Sequence, residues 1–182
     1  MLIERIRKTF AKYNRRLIIV LSKLGITANQ ITVFSFIILL ISFYLIYKEQ
    51  IVWGGIFLFL SYFLDAFDGS LARYNNQESS LGHFLDKIVD STRSFAWLIL
   101  AYTNYISFEL ASLCVFVNLT GYCTAHLIQS KNLNNSNIPT VADTIIILAL
   151  ITTEVVLFAK IMLIIGTILI LGNIIAIIKN EK

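Results

Sequence analysis

FLDAFDGSLARYNNQESSLGHFLDKIVD, residues 63–90, sets Asp65, Asp68, Asp86 and Asp90 among the apolar segments of a chain in which charge is scarce. Of the 182 residues, 57% are hydrophobic and 14% charged, and mean hydropathy is +0.77. Soluble domains carry about 45–50% apolar and about 25% charged residues, so the balance indicates a membrane protein. One proline, Pro139, and eight glycines argue against a loop-rich β protein. The expected class is therefore an all-α integral membrane protein, and each carboxylate within it needs a physical reason, because charge is costly in hydrocarbon.

Working outward, apolar stretches recur at about Ile31–Tyr47, Ile51–Leu71, Leu81–Tyr102, Phe108–Ile128, Val141–Ala159 and Ile161–Ile178. Each approaches the roughly 20 residues that cross a bilayer. Six transmembrane helices are expected over 30–178, with 1–182 forming one membrane domain. Residues 1–24 set seven Lys and Arg side chains against Glu4, while Ile3, Ile6, Phe10, Tyr13, Leu17 and Val20 recur every three or four residues. That pattern predicts an N-terminal amphipathic helix lying on an anionic membrane surface. A span follows at once, which disfavours nucleic acid as the partner, and the opening is too polar for a signal peptide. Six crossings put both termini on one side, and the basic start marks that side as cytoplasmic. The last two spans are expected to part near Lys160, with Glu154 and Lys160 in an outer loop. Cys114 and Cys123 share one apolar segment without a histidine pair, and both are expected to be buried packing thiols.

The stretch 63–90 then reads as a helical hairpin with its tip at the cytoplasmic surface. Asp65, Asp68 and Ala72 share one helix face, as do Gly82, Asp86 and Asp90. Between Asp65 and Asp90 there are five acids and two bases, so pairing with Lys87 or Arg93 cannot neutralise the cluster. Crowded carboxylates stay ionised only beside a cation, and hard oxygen donors suit a divalent ion such as Mg²⁺, Mn²⁺ or Ca²⁺, singly or as a bridging pair. Magnesium favours phosphate oxygens, Arg73 at the mouth can hold such a group, and Gly69, Ala72 and Gly82 leave room for it. A close pair of ions suits phosphoryl displacement. Arg93, three residues past Asp90, either binds a phosphate on a second substrate or offsets the charge of Asp90. His126 near the end of the fourth span and Lys131 beyond it are further polar candidates.

Asp65-x2-Asp68-Gly69-x2-Ala72-Arg73-x8-Gly82-x3-Asp86-x3-Asp90 resembles the signature of the CDP-alcohol phosphotransferase (phosphatidyltransferase) family at all eight positions. GITANQIT, residues 25–32, is similar to the segment that opens the first span in many members, with Ala28 where proline is usual. The resemblance implies six helices behind a surface-lying N-terminal helix, and typically a homodimer. It implies transfer of a phosphatidyl or related group from a CDP-linked lipid to an alcohol, with release of CMP. It makes Asp65, Asp68, Asp86 and Asp90 metal ligands for Mg²⁺ or Mn²⁺, with Asp90 also the catalytic base. It gives Asn29, Thr32, Gly69, Ala72, Arg73 and Gly82 to the nucleotide and diphosphate, leaving Arg93, His126 and Lys131 as acceptor-binding candidates. The acceptor stays open among inositol phosphate, glycerol phosphate, an aminoalcohol and other polyols. Two other readings use the same acids: a divalent-cation transporter, which needs acids continuing across the membrane, and a catalytically idle membrane scaffold.

Overall fold

A computed structural model describes residues 16–76, 79–130 and 138–180, and every regular element among them is helical. Helix α1 is described over 16–23. It is followed by α2 (Ala28–Tyr47), α3 (Ile51–Asn75), α4 (Ser80–Arg93), α5 (Ala96–Tyr102), α6 (Phe108–Ser130), α7 (Ile138–Thr152) and α8 (Val155–Asn180). Four segments are long and apolar enough to cross a membrane: Ala28–Tyr47, Ile51–Asn75, Phe108–Ile128 and Val155–Lys179. The chain is thus built as a multi-pass membrane protein. Of the expected N-terminal surface helix, residues 1–15 lie outside the described residues.

The helix boundaries follow from local chemistry. Thr27 and Gln30 form a reciprocal capping box ahead of α2: the Gln30 N–H donates to Thr27 Oγ1 at 3.3 Å and the Thr27 N–H to Gln30 Oε1 at 2.9 Å. Two otherwise orphaned donors are satisfied, so α2 starts cleanly with Ala28 at its first position. Ser79 caps α4 by accepting the Gly82 N–H at 3.0 Å. Three helix ends share one device. After α1, α2 and α5 the chain turns through a left-handed residue, Gly25 (φ 73°), Glu49 (φ 61°) and Asn104 (φ 61°). Behind each, the paired bonds Ile26 to Leu21 and Gly25 to Ser22, Gln50 to Leu45 and Glu49 to Ile46, Tyr105 to Leu100 and Asn104 to Ala101 close a Schellman motif.

Two expected boundaries are corrected. The stretch 81–102 is not one helix, because α4 stops at Arg93 and α5 begins at Ala96. Ser91, Thr92 and Ser94 carry hydroxyls that compete for backbone partners, and Ser94 Oγ donates to the Ser91 carbonyl at 2.6 Å. The local N–H groups of Ser94, Phe95 and Trp97 bond three residues back, in the tighter 3₁₀ manner. The last two helices part at Thr153 (φ 61°) and Glu154, not near Lys160. Lys160 is the sixth residue of α8 and its side chain is exposed, so a long stem carries the ammonium outward without breaking the helix.

The described chain divides into two compact units. The first holds the described residues within 1–37 and 60–89, the second those within 38–59 and 90–182. In the first, Ile18, Ile31, Phe67 and Leu71 form a buried core joined by Leu21, Ile26 and Leu64. Ser22 Oγ donates to Asn75 Oδ1 at 2.7 Å, fastening α1 to the end of α3. In the second unit α6 packs against α5, α7 and α8, and α7 against α8. Small residues carry these contacts: Ala111, Ala149 and Ala159 are fully buried. A methyl added at Gly166 would fall 2.5 Å from Val117, and one at Gly55 2.8 Å from Leu150. Lipid supplies no hydrophobic drive between helices, so close backbone approach through small residues is what holds such a bundle. Leu157, Ile164, Ile168, Leu171 and Ile175 on α8 stay exposed, as a lipid-facing stripe does.

Candidate metal and nucleotide site

Asp65 and Asp68 sit three residues apart near the end of α3, and Asp86 sits on α4. One carboxylate oxygen from each lies within 4.8 Å of the others. Asp68 is 5% exposed and Asp65 and Asp86 are half-buried. Three carboxylates at this spacing form an all-oxygen donor set that could bind a hard divalent cation. Asp68 is held at both oxygens: Thr32 Oγ1 donates to Oδ2 at 2.5 Å, and the Gly69 N–H reaches Oδ1 at 2.5 Å.

Beside the acids opens a pocket lined by Ala28, Asn29, Thr32, Asp68, Gly69, Ala72, Arg73, Ser79, Gly82 and Asp86. All lie in the first unit. At Gly69 a methyl would meet only the Arg73 guanidinium, 3.6 Å from Nη1, so the space beneath Arg73 is open. At Gly82 a methyl would fall 3.1 Å from Asn29 Oδ1 and from Ser79 Oγ, so there the missing side chain permits close approach to α2. Arg73 is exposed, in the last turn of α3. The first turn of α4 borders the pocket, and a helix N-terminus favours an anion.

Of the residues expected from sequence, Asn29, Thr32, Gly69, Ala72, Arg73 and Gly82 therefore come together with Asp68 and Asp86 around one pocket. Asp90 follows Asp86 by one helical turn and is half-buried. Its carboxylate is ion-paired with Arg93, which is 1% exposed. His126 lies on α6 with its side chain exposed. Lys131 lies outside the described residues. Ala28 and Ser79 line the pocket although the sequence did not assign them to it. The spacing of Ser79 three residues before Gly82 is a capping signal that could have placed Ser79 there.

Residues 25–177 match the model of the CDP-alcohol phosphatidyltransferase family. The chain is 41% identical over 88 residues to an archaetidylinositol phosphate synthase from Pyrococcus horikoshii, a stretch covering 48% of this chain and 41% of that protein. It is 28% identical over 90 residues to an uncharacterized protein from Aquifex aeolicus, covering 50% of this chain and 46% of the other. The chain thus spans less than half the length of each of these relatives. The family match takes in all eight residues of the acidic motif, three of whose aspartates converge beside a pocket lined by the rest but Asp90, and the chain belongs to the CDP-alcohol phosphatidyltransferase family.

Proposed function

We propose that the chain is a phospholipid-synthesising transferase that moves a phosphatidyl or related group from a CDP-linked lipid to a small alcohol, with CMP leaving. The observation that carries this is the convergence of Asp65, Asp68 and Asp86 beside a pocket lined by Gly69, Ala72, Arg73 and Gly82. Asp65, Asp68, Asp86 and Asp90 would hold Mg²⁺ or Mn²⁺, in all two ions. Bound there, such ions offset charge on the diphosphate and on the departing CMP. Arg73 grips the diphosphate over the open space at Gly69, while Asn29, Thr32 and the first turn of α4 border the nucleotide. Asp90 takes the proton from the acceptor hydroxyl as its oxygen bonds to the lipid-bearing phosphorus and the bond to CMP breaks. Arg93, ion-paired with Asp90, holds that carboxylate in place.

The relative from Pyrococcus favours inositol phosphate among the candidate acceptors, with Arg93, His126 and Lys131 the side chains proposed to meet it. The whole chain, 1–182, is read as one membrane domain of six crossings behind a surface-lying N-terminal helix. It works as a homodimer in the cytoplasmic membrane, with the acidic site on the cytoplasmic side. The test is CMP release by purified protein supplied with Mg²⁺ or Mn²⁺, diacyl or ether CDP-lipid, and a panel of acceptors. Inositol phosphate is expected to give the fastest release, and a chelator to stop it. No CMP release with any acceptor and either donor would sink the transferase reading.

A further inference from the structure

We propose that Thr32 is a positioning residue for metal binding, its hydroxyl fixing the Asp68 carboxylate from the neighbouring helix. This rests on the reading of Asp65, Asp68 and Asp86 as a divalent-cation site. Thr32 is 4% exposed and Asp68 5%, so their contact is shielded from water. Thr32 Oγ1 lies 3.2 Å from the Ala28 carbonyl and 2.5 Å from Asp68 Oδ2. A hydroxyl has one proton to give. The carbonyl four residues back is the partner a helical threonine finds unaided, but the closer, charged oxygen wins the proton.

Asp68 needs such a hold. Asp65 and Asp86 bring like charge within 4.8 Å, and repulsion would turn an untethered carboxylate away. The Thr32 hydroxyl holds Oδ2 from α2 while the Gly69 N–H meets Oδ1. Each carboxylate oxygen has two lone pairs, so one on each remains for a cation. A ligand held in place before the ion arrives loses less freedom on binding, which is how outer-shell partners raise metal affinity. Threonine suits the task because its branched side chain has few rotamers in a helix. The hydroxyl proton is thereby assigned to the metal side of the pocket.

The test measures Mn²⁺ binding to the full chain in detergent by electron paramagnetic resonance, without substrate. Wild type is compared with Thr32→Val, Thr32→Ser and Asp68→Asn, each verified by circular dichroism. Wild type should bind Mn²⁺ and Asp68→Asn should lose it. Thr32→Val keeps the shape without the hydroxyl and should bind about 10–100-fold more weakly, whereas Thr32→Ser should stay within about threefold of wild type. If Thr32→Val does not fold, Thr32→Ala is read the same way. Wild-type affinity in the folded variant lacking the hydroxyl, with Asp68→Asn still defective, overturns the proposal and leaves the metal reading standing. Equal weakening in Thr32→Ser also overturns it, since packing rather than the hydroxyl would then matter. No Mn²⁺ bound by wild type overturns the metal reading, and this proposal with it.

Discussion

A methyl added at Gly82 would meet Asn29 Oδ1 and Ser79 Oγ at 3.1 Å, closer than side chains normally sit. Against that stands a gain: Gly to Ala inside a helix is worth about 0.5–1 kcal/mol. The two effects are of similar size, so Gly82→Ala should move the unfolding midpoint little. The displaced groups, however, are the Asn29 carboxamide and the cap of α4, both on the pocket wall. KM for the CDP-lipid is therefore expected to rise about tenfold, equivalent to about 1.4 kcal/mol, with a smaller change in kcat, as steady-state CMP release would record. Asp68→Asn removes a charge where three carboxylates converge, and turnover should fall by about 10²-fold or more. Stability need not fall with it, because the mutation also relieves repulsion among the acids; an unchanged CMP-release rate in a folded variant would contradict the site. Much at this scale was legible in the sequence, since i, i+3 and i+4 spacing sets Asp65 with Asp68 and Gly82 with Asp86 on common faces. The hydroxyl of Thr32 reaching Asp68 was not, because a contact across 36 positions leaves no local pattern.

Ala28 stands where the resemblance to the family leads one to expect proline, and the capping box of Thr27 and Gln30 opens α2 without it. Gln30→Ala removes one of its two bonds and should cost about 0.5–2 kcal/mol. Ala28→Pro places proline at the first helical position, where its fixed φ is already helical and no intrahelical N–H is required. Restricting the unfolded chain should stabilise the protein by about 0.4–1 kcal/mol, so the two substitutions shift the thermal midpoint in opposite directions in detergent. The apolar runs located α2, α3, α6 and α8 because hydropathy over 20 residues is a strong signal. They hid the break between α4 and α5, where three small hydroxyl side chains interrupt a run whose average stays apolar. They also misplaced the start of α8, since a lone lysine in an apolar run looks like a boundary although its stem can reach polar surroundings from within a helix.

Membrane crossing is decided by the whole chain, and here α4, α5 and α7 matter most. At 1.5 Å per residue the 15 residues of α7 extend about 22 Å, short of a hydrocarbon core of about 30 Å. Helices α4 and α5 cross only if their 14 and 7 residues act in series. The proposed six crossings would place Glu49, Asn104 and Thr153 on the outer side and Asn76 on the inner side. Four of these turns have left-handed backbone at the named residue, and the side chains are exposed, so a cysteine there is accessible to a reagent. Cys114 is fully buried and can stay, while exposed Cys123 is replaced by serine. In intact cells a membrane-impermeant maleimide should then label Glu49→Cys, Asn104→Cys and Thr153→Cys, and should reach Asn76→Cys only after permeabilisation. The pattern separates the segments. If α4 and α5 do not cross, Asn104→Cys will behave like Asn76→Cys. If they do cross but α7 fails to, Thr153→Cys alone will change sides. Labelling of Asn76→Cys in intact cells would put the acidic hairpin on the outer face, away from any cytoplasmic nucleotide-linked donor.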